Sequence, residues 1–85
     1  MRIPSRKSIP FDSPALYRIS VEGLLDPIWS DRLDGMRIFQ TTLEADTSIT
    51  TLEGELQDQT ALAGVLNTIY ELHLTVLSVK RLEIL

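Results

Sequence analysis

The sequence predicts an α+β domain: a four-stranded antiparallel sheet with two helices on one of its faces. Three observations predict it. Apolar and polar residues alternate with a period of two in separate stretches, the pattern of half-buried strands. Asp58 stands just before a stripe of Leu62, Val65, Leu66, Ile69 and Leu72, the spacing of an amphipathic helix behind its N-cap. Asp26-Pro27 and Gly35 bracket a shorter apolar repeat as helix start and stop signals.

The elements follow in order. Tyr17, Ile19 and Val21 alternate with Arg18, Ser20 and Glu22, which gives a first strand ending at Gly23. Between Pro27 and Gly35 a two-turn helix is expected, with Leu25, Trp29 and Leu33 four apart on its apolar face and Trp29 as the anchor. Met36 to Thr42 is a second strand. Met36 and Ile38 share one face and Arg37 and Phe39 the other, and a shift of one residue would exchange them. Glu44-Ala45-Asp46 is a polar turn. Ser48 to Leu56 is a third strand, rich in β-branched residues, with Leu52, Gly54 and Leu56 on one face. Gly54 marks a bulge or a close backbone approach. The main helix covers Gln59 to Leu72, and Gly64 within it is expected to pack closely against the short helix. Leu74 to Glu83 is the last strand, in which Leu77 and Val79 alternate with Val76, Ser78 and Lys80.

Strand, short helix, strand, strand, long helix, strand is the order of two split βαβ units, the ferredoxin-like βαββαβ sandwich. One sheet face is then left open. The residues expected on it are Arg18, Ser20, Glu22, Ile49, Thr51, Glu53, Ser78 and Lys80, with Val76 and either Phe39 or Ile38.

Eighty-five residues make one domain. A domain of this size buries only about 60–65% of its unfolded surface, so association with a second copy adds burial that the core lacks. Pro4, Pro10 and Pro14 block a helix and spoil strand pairing. Residues 1–14 are therefore read as a flexible Pro/Ser-rich basic arm and residues 15–85 as the domain. The arm has a charge balance of +2, while the remainder holds five basic and eleven acidic residues, a balance of −6. An acidic body argues against nucleic acid as a partner, because phosphate neutralisation needs clustered Lys and Arg. Apolar runs are too short to span a membrane. Without an apolar segment behind Arg2, Arg6 and Lys7 there is no secretory signal, so a cytoplasmic location is expected.

The residues of catalysis are sparse. The chain has no cysteine and a single histidine, His73, so neither a zinc site nor a nucleophile with its base is predicted. His73 falls at the end of the main helix, where a capping or packing role is expected. Asp31 with Asp34, and Glu53 with Glu55, are read as solvated charges. The four glycines form no phosphate-cradling pattern. No cofactor, metal or enzymatic activity is expected.

Val21-Glu22-Gly23, Asp26-x-x-Trp29, Leu33-x-Gly35-Met36, Leu52-Glu53-Gly54-x-Leu56-x-Asp58-Gln59, Ala61-Leu62-x-Gly64-Val65-Leu66 and Leu77-Ser78-Val79-Lys80-Arg81-Leu82 together resemble a group of short, stand-alone bacterial proteins without an assigned function. The resemblance implies a compact α+β domain and brings no reaction, cofactor or partner. The turn Gly23 to Pro27 resembles the first loop of ACT domains, ligand-sensing modules of the same topology.

The expected function is therefore a non-enzymatic protein-interaction or accessory protein. It would associate with itself or a protein partner through the open sheet face or an edge strand, using Arg18, Ser20, Phe39, Ile49, Thr51, Val76, Ser78 and Lys80. The alternative is a small-ligand sensor with its site at Gly23, Asp26 and Trp29.

Overall fold

The computed structural model describes residues 13–44 and 47–82. Most of the predicted arm, the centre of the predicted turn at Ala45 and Asp46, and residues 83–85 lie outside them. The chain is α+β. Strands β1 (Ala15–Glu22), β2 (Arg37–Glu44), β3 (Thr47–Leu56) and β4 (Thr75–Leu82) form one antiparallel sheet in the order β2-β3-β1-β4. A 3-10 helix (Pro27–Leu33) links β1 to β2, and helix α1 (Gln59–Glu71) links β3 to β4.

Alternation along β1 sets the layers. Ala15, Tyr17, Ile19 and Val21 are buried and pair with Leu56, Gly54, Leu52 and Thr50 of β3. Paired residues point to the same side of a sheet. Met36 and Ile38 complete this side, which settles the open question of β2: Ile38 faces the core and Phe39 does not. Val65 and Ile69 of α1 bury into the same cluster, and Leu62, Leu66, Leu72 and Trp29 pack against it.

Both helix starts form at the predicted residues. The Asp58 carboxylate accepts from the Ala61 N–H at 2.8 Å, and that of Asp26 from the Ile28 N–H at 3.0 Å. The first helix is 3-10 rather than α. Leu25 and Leu33 are buried at its ends while Trp29 is half-buried. The end of α1 is closed by a Schellman motif. The His73 N–H bonds to the Tyr70 carbonyl at 2.9 Å and the Leu74 N–H to that of Ile69 at 3.3 Å. His73 takes the left-handed position, at φ 61°, where glycine is usual.

Two glycine expectations have different outcomes. At Gly54 the close approach is real: a Cβ there would stand 3.2 Å from the Met36 Cα. Gly64 does not pack against the short helix, because among the described residues no atom of another element lies within 4 Å of where its Cβ would stand. A polar latch at Thr50 was not foreseen. Its hydroxyl donates to the Gly23 carbonyl at 2.7 Å and accepts from the Leu25 N–H at 3.3 Å, and the side chain is fully buried. With the bond from the Gly23 N–H to the Ser48 carbonyl, it ties the β1-to-helix loop onto β3.

Candidate functional site

The side of the sheet opposite the helices is open, and its side chains stand in rows fixed by strand register. One row holds Lys80, Arg18, Glu53 and Arg37 on β4, β1, β3 and β2. The next holds Ser78, Ser20, Thr51 and Phe39. Beyond it come Thr75, Glu22, Ile49 and Thr41, and at the other end Leu82, Leu16 and Glu55.

Seven of the eight predicted interface residues lie on this side of the sheet, Arg18, Ser20, Phe39, Ile49, Thr51, Ser78 and Lys80, although Thr51 is buried among its neighbours. Val76 does not. Ser20 pairs with Ser78 but Val21 pairs with Val76, so Leu77 is an extra residue in β4. That bulge turns Val76 to the core side, where it packs against the hydrophobic cluster. Plain alternation through Val76, Ser78 and Lys80 placed all three on one side; the extra residue breaks it.

The charged row is a network. Glu53 accepts from Arg18 Nε at 2.7 Å and from Arg37 at 2.9 Å. The hydrogen bond from Arg18, and then that from Arg37, holds the Glu53 carboxyl below the ordinary value of 4.5. The Arg37 guanidinium also lies over the Phe39 ring, 5.2 Å from its centroid. Glu53 and Glu55 are both expected to be solvated charges, and Glu53 departs from that expectation. One is clamped between two arginines, and the other stands exposed beside Leu16.

Apolar residues sit at two opposite corners of the face. Leu16 and Leu82 pair at one end of β1 and β4, and Phe39 and Ile49 lie toward the other end on β2 and β3. Leu16 and Leu82 were not singled out from the sequence, since only the pairing of the first and last strands brings them together.

The candidate ligand turn is differently arranged. Both backbone polar groups of Gly23 bond within the chain, to Ser48 and Thr50. Asp26 caps the 3-10 helix, and the Trp29 ring is faced by Arg32 at 5.3 Å. The Ser30 hydroxyl donates to the Met36 carbonyl. Among the described residues, no group of three or more His, Asp or Glu stands close enough to hold a metal ion. No helix there is long and apolar enough to cross a membrane. Leu24, Ile28 and Tyr70, and Leu77 and Val79 on the edge strand β4, none of which the sequence marked for exposure, are also exposed large apolar residues; Val79 lies on the helix side, paired with Ile19.

Residues 16–80 match the model of a family described as a domain of unknown function, DUF8691. Neither a curated protein nor a solved structure matches the chain.

Proposed function

The chain belongs to the DUF8691 family, and on that premise we propose that it is a non-enzymatic interaction protein that associates with a second copy through the open sheet face. The carrying observation is the contrast between that face and the sheet edges. The edge strands are β2 and β4, and each holds one residue more than its partner strand, between Thr41 and Glu44 in β2 and at Leu77 in β4. Bulges and edge charges such as Lys80 discourage strand addition. The face, by contrast, presents Leu16 and Leu82 at one corner and Phe39 and Ile49 at the other, with the charged row and small polar residues between them and both helices on the other side. Covering it gives a small domain the burial its core lacks.

The ferredoxin-like reading of the fold belongs to this proposal. The order β2-β3-β1-β4 with antiparallel neighbours supports it, with the first helix shortened to a 3-10 segment. The bacterial setting implied by the sequence resemblance belongs to it as well.

Sedimentation equilibrium tests the reading. The wild type is expected to dimerise reversibly, and Phe39→Lys and Ile49→Lys to be monomeric with unchanged far-UV circular dichroism. A wild type that stays monomeric at several hundred micromolar overturns it.

A further inference from the structure

We infer that the two copies stack about a two-fold axis lying in the plane of the open face, perpendicular to the line joining its apolar corners. In that arrangement Glu22 of each copy meets the partner's Lys80. This rests on the open face being the surface of self-association.

The pattern of the face is self-complementary under that rotation and not under an arbitrary one. The apolar pairs Leu16–Leu82 and Phe39–Ile49 lie at opposite corners. An isologous contact must place the same patch on itself. The axis described lays each apolar corner over the other corner of the second copy. The same rotation carries Glu22, at the end of β1, over the partner's Lys80 on β4. It also carries Glu55 over the partner's Arg37. Both acidic residues are exposed, and so are both cations. The row Lys80, Arg18, Glu53, Arg37 has three cations and one carboxylate. Glu22 and Glu55 of the second copy supply the two negative charges it lacks. The two Glu53 carboxylates come near the axis, each already bonded to two arginines of its own chain.

Size sets the expected strength. Four strands about 4.8 Å apart, with eight residues rising about 3.3 Å each, make a face of roughly 500 Å². Two stacked faces bury about 1,000 Å² in total, the lower bound for a specific interface. An interface of this size belongs to the weak, reversible class rather than the obligate one.

Glu22 and Lys80 make a clean test, because they do not couple within one chain. Lys80 pairs with Arg18, and Glu22 lies four residues further along β1. That is roughly 13 Å, beyond a screening length of about 8 Å at physiological salt. Lys80→Glu, Glu22→Lys and the double variant are compared by sedimentation equilibrium at 0.15 M salt, with circular dichroism as the check on folding. Each single change is expected to weaken dimerisation about tenfold, and the double to recover to within about twofold of wild type. If the two losses simply add in the double variant, the arrangement is overturned. In that case a wild-type dimer still broken by Phe39→Lys leaves the open-face reading standing. A wild type with no dimer overturns both.

Discussion

Thr50→Val removes one oxygen and leaves the side chain's shape unchanged. The wild-type hydroxyl makes two bonds to backbone, at 2.7 Å to the half-buried Gly23 carbonyl and 3.3 Å from the buried Leu25 N–H. In the valine variant both backbone groups lose this partner, the Leu25 N–H in the buried interior. A net hydrogen bond is worth about 1 kcal/mol, and an orphaned buried group costs about 1–3 kcal/mol. The longer bond counts for less, and the new methyl gains a little from burial. The balance is a loss of about 2 kcal/mol. For a domain of this size that lowers the melting temperature by about 8–16 °C. Urea and thermal unfolding, followed by far-UV circular dichroism at one fixed protein concentration, measure it. Thr50→Ser keeps the hydroxyl and is expected to lose about 1 kcal/mol, from the missing methyl alone. A valine variant within 0.5 kcal/mol of wild type refutes the reasoning, since valine matches threonine in strand preference and shape.

Three further outcomes are expected. Gly64→Ala stabilises the protein by about 0.5–1 kcal/mol, because its site in α1 is exposed with open space around the added methyl; denaturant midpoints check it. Gly54→Ala destabilises by about 1–3 kcal/mol, because its methyl presses on the Met36 backbone, and the same titration reads the opposite sign. Glu53→Gln gives a pH-dependent difference. The folded carboxyl titrates below the ordinary value of 4.5, so its ionised form stabilises above that pH and the contribution fades as pH falls through the folded value. The melting-temperature gap to wild type is therefore constant near neutrality and closes in acid. A gap that persists unchanged well below pH 4 contradicts the assigned role of Arg18 and Arg37.

Much of the fold is legible wherever the signal is local. Asp26 and Asp58 cap the helices they precede because a carboxylate reaches an N–H two or three residues on, whatever else the chain does. Buried and exposed residues alternate along β1 as its period of two requires. The errors fall where a neighbouring strand or helix decides. Val76 changes sides because of one extra residue in β4, which only pairing with β1 exposes. Gly64 suggested a close helix contact, but nothing stands opposite it. Thr50 looked like one more β-branched strand residue, and its latch needs Gly23 and Leu25 brought across from the preceding loop.

The candidate surface divides the same way. That Arg18, Ser20 and Thr51 sit on the side away from the core follows from alternation within their own strands. That Arg18 and Arg37 converge on Glu53, or that Leu16 meets Leu82, depends on register between segments far apart in the chain. Periodicity and caps are written into neighbouring residues by backbone geometry, so the chain alone dictated where its elements start and, along β1, which side turns inward. Which rows line up across the sheet is settled when separate strands bond, so the assembled structure alone placed the apolar corners and the charges between them.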